Sequence, residues 1–205
     1  IRQKDYARLI SVSAQHMIDL VDGLAEGKMP QDSVDRIDLS VMMAETMSMI
    51  APDAEQKGTT ILAHIAPHLP RMVGNRRGVR QVALNLLSNA IKFAPNGKVT
   101  VTLRQEGPML ALTIADDGDG VEADELPHLT EPRFRSRASR TAQIEGQGLG
   151  LSIVRDIVAH HEGTLDIDSR PGEGLSVTVR FPLERQIADI YHSGRRVMAG
   201  GRRHA

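Results

Sequence analysis

The sequence predicts an α/β protein in which helices are interspersed with short alternating strands. Residues 81–94 contain no glycine or proline and consist of good helix formers, so they predict a helix. Four later segments alternate in the manner of strands, namely 98–105, 109–115, 164–169 and 175–181. The first two are joined by Glu106-Gly107-Pro108, a connection typical of a hairpin. Helices and strands that mix in this way indicate a layered α/β domain.

The composition limits the classes of function. With 205 residues, the chain can form one core plus an additional element. A net charge of −1 and only 2% aromatic residues give little support for nucleic-acid binding. The absence of cysteine excludes disulfides and thiol chemistry and is compatible with a cytoplasmic location. No apolar run approaches the ~18 residues of a membrane span, so we expect no membrane contact by this fragment.

The first element is an amphipathic helix over residues 1–27, with apolar residues spaced three and four apart. One helix has no core of its own, so its apolar seam is expected to meet another helix, in cis or from a second chain. His16 is interpreted as an ordinary surface or interface histidine. The chain opens within this pattern and without an initiator methionine, which favours a fragment of a larger protein.

The next elements lead up to the 81–94 helix. An alternating segment at 34–39 predicts an edge strand, and a helix over 40–57 follows with Ser40 as its N-cap. Residues 59–65 predict another strand. Gly74-Asn75 then predicts a turn before the helix.

The 81–94 helix carries a polar stripe of Asn85, Asn89 and Lys92 on an otherwise apolar surface. Each of these groups costs about 1–3 kcal/mol if it is buried without a partner. On its own the stripe allows two interpretations, a pair of core amides satisfied by the backbone or a surface that faces a polar ligand.

Asp116-x-Gly118-x-Gly120 follows directly on the second strand of the hairpin. A carboxylate at a strand end could accept hydrogen bonds from an amino group such as adenine N6, and the glycines would let a flat ring approach the backbone. A plain acidic turn is the alternative. A calcium loop of the EF-hand type is excluded because the ligand spacing and the closing glutamate are missing.

Gly146-x-Gly148-x-Gly150 precedes the next helix, after a polar stretch of about 25 residues that indicates a functional or mobile loop. Unpaired N–H groups and the positive end of the helix dipole suit phosphate. The spacing is neither the dinucleotide fingerprint nor a Walker A motif. Together with Asn85, Asn89 and Lys92 the motif is a strong signal, because amide oxygens suit Mg²⁺ and lysine suits phosphate charge.

In combination, these motifs resemble the N, G1 and G2 boxes of sensor histidine kinases, whose ATPase fold is shared with gyrase B, Hsp90 and MutL. The resemblance covers residues 34–183 and implies a two-layer α/β sandwich of the Bergerat type, with a mixed sheet of about five strands. Residues 1–30 resemble the second helix of the dimerisation and phosphotransfer hairpin. Residues 184–205 would be a basic C-terminal tail.

The resemblance also implies roles for the residues of these motifs. Asp116 would bind the adenine amino group, Asn89 would hold Mg²⁺, and Lys92 would neutralise phosphate. Asn85 would orient the site in the place where the ATPase relatives carry a water-activating glutamate. The nucleotide-binding residues would be Asn85, Asn89, Lys92, Asp116, Gly118, Gly120, Arg135, Gly146, Gly148, Leu149 and Gly150.

The chain departs from the family pattern at several positions. Asn75 stands in place of the usual aspartate and Gly78 in place of the usual arginine, and His161-Glu162-Gly163 replaces His-Gly-Gly. Residues 130–133 replace a Phe-x-x-Phe element, although Arg135 matches the basic residue after it. Losing both aromatics removes apolar contacts. The sequence therefore predicts a looser lid, a weaker affinity for nucleotide, or both.

The function implied is that of the ATP-binding catalytic part of a sensor histidine kinase. It would form a homodimer through the hairpin helix, phosphorylate a histidine on the absent helix and feed a response regulator. The phosphoacceptor motif is not found in this sequence. Two alternatives are a regulatory pseudokinase, motivated by the altered lid, and an ATP hydrolase of the gyrase or Hsp90 type, against which Asn85 argues because an amide cannot accept a proton from water.

Overall fold

A computed structural model describes residues 34–137 and 147–183. The strands and helices in these ranges are β1 (Val34–Ile37), α1 (Leu39–Gln56), β2 (Thr60–Ile65), β3 (Met72–Asn75), α2 (Arg76–Phe93), β4 (Lys98–Glu106), β5 (Met109–Asp116), α3 (Gly150–His160), β6 (Thr164–Arg170) and β7 (Gly174–Pro182). A short 3₁₀ turn, Leu126–His128, lies between β5 and α3. The helix predicted over 1–27, with His16, and the tail at 184–205 lie outside the described residues.

The main sheet has five strands in the order β2-β4-β5-β7-β6. Strand β2 pairs parallel to β4, and the other three pairings are antiparallel. The predicted two-layer α/β sandwich with a mixed sheet of about five strands is therefore confirmed. The edge strand predicted at 34–39 is observed as β1, which ends at Ile37 and pairs with β3 in a separate two-stranded sheet.

One face of the main sheet carries the core. Alternate residues of β4, β5 and β7 are buried there, in the period-two pattern expected when only one face of a sheet is covered. They pack with buried side chains from all three helices, including Met42 of α1, Leu86 of α2 and Val154 of α3. The opposite face is polar and carries Arg180, which is paired with Glu106 and Asp166.

The starts of two helices differ from the prediction, and capping explains both differences. Asp38 is the N-cap of α1, since its Oδ1 accepts from the Val41 N–H at 3.1 Å, so Ser40 lies inside the helix. Asn75 caps α2 by accepting from the Gly78 N–H at 3.0 Å. The predicted Gly74-Asn75 turn was therefore wrong, and α2 begins at Arg76 rather than Gln81.

His161 connects the end of α3 to the start of α2. Its Nε2 accepts from the Asn75 N–H at 3.0 Å, and its Nδ1 donates to the Ile157 carbonyl at 2.8 Å. Because the first partner can only donate and the second can only accept, His161 is the neutral Nδ1–H tautomer. The ring also fills the space at Gly74, where a Cβ would lie 2.6 Å from His161 Cδ2. This contact sets α3 antiparallel against α2.

Within the described ranges, none of the helices is long and apolar enough to cross a bilayer.

Candidate functional site

The polar stripe of α2 faces the beginning of α3. Asn85 and Asn89 are both half-buried on α2, beside the buried Leu86. Asn85 Oδ1 accepts from Gln81 Nε2 at 2.9 Å, and Asn85 Nδ2 donates to the Gly150 carbonyl at 3.4 Å. A Cβ on Gly150 would lie 3.2 Å from Asn89 Nδ2, so this glycine lets the two elements approach. The structure thus brings both amides to the start of α3.

The approach to α3 is shaped by Gly148 and Leu149. Gly148 has φ +68° and lies against the backbone of Arg133 and Phe134. Its carbonyl accepts from the Arg133 N–H at 2.8 Å. Helix α3 begins at Gly150, the last glycine of the motif that the sequence placed ahead of the helix. The first N–H groups of α3 have no partners within the helix and suit an anion.

Asp116, the last residue of β5, lies near the C-terminal end of α2. Its Oδ1 accepts from the N–H groups of Gly118 at 3.1 Å and Leu175 at 3.4 Å. Burial raises the pKa of Asp116 to about 6, with a smaller contribution from Asp117, while the two backbone hydrogen bonds act in the opposite direction. Gly118 packs on the carbonyl of Phe93, the last residue of α2. This places the loop that follows the carboxylate against the end of the helix that carries the amide stripe.

The loop after Asp116 packs tightly against the turn before β7. Gly120 has φ +67° and lies against the Arg170 carbonyl, and the Gly172 N–H donates to the Asp119 carbonyl at 2.8 Å. A cavity of ≈ 330 Å³ opens beside this turn and is lined mainly by polar groups, including Asp116. Its lining comes from β5, β6, β7 and the turn before β7, so it is separate from the amide stripe.

Three other predicted site residues are Lys92, Arg135 and Gly146. Lys92 is half-buried, with its Nζ 5.1 Å from the centroid of the Phe93 ring. Arg135 is half-buried and follows Phe134, whose carbonyl lies against Gly148. Gly146 lies outside the described residues. The roles of these three residues stay predictions.

The segment around residues 130–133, which replace two aromatic residues of the family pattern, makes polar contacts. Arg155 of α3 donates to the Thr130 carbonyl at 3.0 Å. Glu125 is only 6% exposed and accepts from the Arg137 N–H at 2.9 Å. The ring of Phe134 lies 5.7 Å from that of His128. These contacts do not test the predicted looser lid or weaker affinity for nucleotide, so that expectation stays a prediction.

Two contributors were missed by the sequence interpretation. Gln81 lies one helical turn before Asn85 on the same face, and this spacing of four residues was the available signal. Leu175 contributes only its backbone N–H, for which its residue type gives no signal. Polar side chains on one helix face can be recognised from their spacing in the sequence, whereas backbone donors cannot.

Comparisons with known proteins show the family to which this fold belongs. The model of the histidine kinase-, DNA gyrase B- and HSP90-like ATPase family matches residues 74–185. An uncharacterized sensor-like histidine kinase of Rhizobium meliloti is 33% identical over 202 residues, which are 92% of this chain and 38% of that protein. Histidine protein kinase DivJ of Caulobacter vibrioides is 31% identical, over 89% of this chain and 31% of its own length. The chain thus spans less than two-fifths of either relative.

Two solved structures show the same fold. The mycobacterial sensor histidine kinase MprB is 26% identical with a TM-score of 0.64, and the match covers 74% of this chain and 98% of that one. Full-length ShkA, in complex with AMPPNP, is 25% identical with a TM-score of 0.67, over 90% of this chain and 39% of that one. The resemblance stated from the motifs is therefore confirmed, and the chain belongs to the family of histidine kinase-, DNA gyrase B- and HSP90-like ATPases.

Proposed function

We propose that this chain binds Mg·ATP along α2 and is the catalytic part of a sensor histidine kinase. The observation that carries this proposal is the contact of Asn85 and Asn89 with the first residue of α3, Gly150. It places two amide side chains against the N-terminus of a helix, where unpaired N–H groups attract phosphate. The reaction would transfer the γ-phosphate to a histidine on another helix and onward to a response regulator.

The adenine end of the nucleotide would lie at Asp116. An ionised carboxylate accepts hydrogen bonds and matches an exocyclic amino group. A Cβ on Gly118 would clash with the Phe93 carbonyl, so a glycine is needed there to hold the loop after Asp116 against the end of α2. Burial of the carboxylate makes its hydrogen bonds stronger than they would be in water.

The phosphates and the metal would lie at the amide stripe. Asn89 offers an amide oxygen, a ligand type that Mg²⁺ accepts. Because Asn89 lies beside Gly150, a metal ion held there would be close to the start of α3. Lys92, one turn later on α2, would neutralise phosphate charge. Bound Mg²⁺ would supply charge neutralisation for an in-line transfer. Since position 85 holds an amide rather than a carboxylate, it cannot accept a proton from water, which favours transfer over hydrolysis.

The named activities of the relatives support this assignment. DivJ is a histidine protein kinase, and ShkA binds AMPPNP, a nucleotide of the ATP class. Assembly as a homodimer through the helix predicted within residues 1–30, and a cytoplasmic location, belong to the same proposal. They rest on the sequence pattern alone.

The decisive experiment has two stages. Calorimetry with Mg·ADP should show binding to the folded chain, and a complete lack of heat would reject the proposal. A hairpin helix bearing the phosphoacceptor histidine is then supplied in trans with Mg·ATP. Acid-labile phosphohistidine supports the kinase, binding without any phosphohistidine supports the regulatory pseudokinase, and steady release of phosphate supports the hydrolase.

The Asp116 carboxyl is expected to titrate differently with and without nucleotide. In the apo protein its pKa of about 6 lies above the value of the unfolded chain, so its contribution to stability rises as the pH falls from about 6 towards 4. Bound adenine would stabilise the ionised form and lower the pKa, so nucleotide affinity should fall over the same pH range. Carboxyl ¹³C NMR titration with and without saturating Mg·ADP measures both values. An unchanged pKa in a complex that demonstrably forms would contradict the assignment of Asp116.

A further inference from the structure

We propose that Gln81 is a positioning residue of the nucleotide site, which acts by fixing the orientation of the Asn85 amide against α3. The inference rests on the proposed function and adds a residue to it. Gln81 is half-buried on α2, one turn before Asn85, and donates to Asn85 Oδ1 at 2.9 Å.

The direction of the chain of hydrogen bonds follows from its last member. The Gly150 carbonyl can only accept, so the side of Asn85 that faces it must be the nitrogen. The oxygen of Asn85 must then face Gln81. Gln81 must in turn present its Nε2, because two carbonyl oxygens would repel each other. The three groups therefore form one directed chain from Gln81 through Asn85 to the first residue of α3.

This chain places Asn85 and Asn89 in different roles. Asn85 ties the start of α3 to α2 through its nitrogen, and one lone pair of its oxygen is taken by Gln81. Asn89, one turn further on, packs on the same Gly150 and is the residue assigned to the metal. If the Asn85 amide turned over, its oxygen would face the Gly150 carbonyl and the connection would be lost. The first N–H groups of α3, which are proposed to receive phosphate, would then lose one support.

The alternative is that Gln81 merely stabilises the surface of its helix. Two substitutions test the positioning role. Both remove the Nε2 donor of Gln81 and keep the size of the side chain. Gln81→Met is uncharged, whereas Gln81→Glu adds a carboxylate that favours the reversed Asn85 amide. Both are expected to weaken Mg·ADP binding by about three- to tenfold, in the range of couplings between residues in contact.

A matched control exists on the far side of the domain. Gln105 Nε2 donates to the Gly107 carbonyl at 2.8 Å in the exposed β4–β5 turn, so Gln105→Glu makes the same chemical change away from the site. It should leave the dissociation constant unchanged. Thermal unfolding of each variant would show that the domain remains folded.

The positioning role requires that the effect of Gln81→Met on binding depends on the presence of Asn85. In an Asn85→Ala background, Gln81→Met should have no further effect on the dissociation constant. An equal loss in both backgrounds, or no loss in the wild-type background, would overturn the positioning role while leaving the proposed function intact.

A second readout needs no nucleotide. The side-chain amide resonances of Asn85 in the apo protein should shift in Gln81→Met and stay in place in Gln105→Glu, and unshifted resonances in both would also overturn the inference. If the wild-type chain fails to bind Mg·ADP, the proposed function fails, and these resonances still test the link between Gln81 and Asn85.

Discussion

Replacing Asp116 with asparagine is expected to weaken Mg·ADP binding by roughly 10- to 150-fold, the equivalent of one hydrogen bond to a charged group. The amide keeps the size and one acceptor oxygen, which can still accept from the N–H groups of Gly118 and Leu175. It loses the negative charge and turns a donor towards the space where adenine N6 would lie. Calorimetry with Mg·ADP measures the change.

The stability of this variant should move in the opposite direction to its affinity. Burial raises the pKa of Asp116 to about 6, so at pH 7 the folded protein holds an ionised carboxylate in a place that disfavours it. Asp116→Asn removes that cost, and the midpoint of chemical denaturation should be equal or higher than in the wild type. Asp119→Asn, at an exposed position of the same loop, is the control and should change neither quantity. Unchanged affinity in Asp116→Asn would contradict the adenine assignment.

The sequence predicted the fold better than it predicted the edges of its elements. The hairpin of β4 and β5 was located to within a residue, because alternation over a long run and a strong turn both specify it. The start of α2 was missed by five positions, because the helix was predicted from the stretch 81–94, which lacks glycine and proline, whereas the observed helix also includes Gly78. The Asn75 cap and the packing of Val79 and Val82 outweigh the cost of that glycine, which is about 1 kcal/mol.

The candidate site shows the same division between local and non-local information. Asn85 and Asn89 were identified from one helix face, and their contact with Gly150 follows once that helix is placed. One of the two hydrogen-bond partners of Asp116, the Leu175 N–H, lies 59 residues away in sequence. Nothing local to either segment encodes that pairing, since it arises from the register of β5 with β7. Side chains that act alone could be predicted, whereas contacts that depend on strand order could not.

Gly174→Ala is expected to be the most destabilising substitution at the site, by about 3 kcal/mol or more. Gly174 has φ +83°, and a Cβ there would lie far inside van der Waals contact with the Asp116 carbonyl oxygen. Neither the backbone of Gly174 nor that of Asp116 can shift easily to relieve this clash, because Asp116 is also held by the Leu175 N–H. The free energy of unfolding from denaturant titration measures the effect.

Gly172→Ala separates the steric part of this effect from the backbone part. Gly172 lies in the same turn with a similar φ of +77°, yet a Cβ there would meet nothing within 4 Å. It should therefore lose only about 1 kcal/mol, the cost of a left-handed conformation for a residue with a Cβ. Gly174→Ala should also weaken Mg·ADP binding, since relief of the clash must displace Asp116, while Gly172→Ala should bind normally. Equal destabilisation by the two substitutions would show that the packing of this turn on Asp116 is not what requires a glycine at position 174.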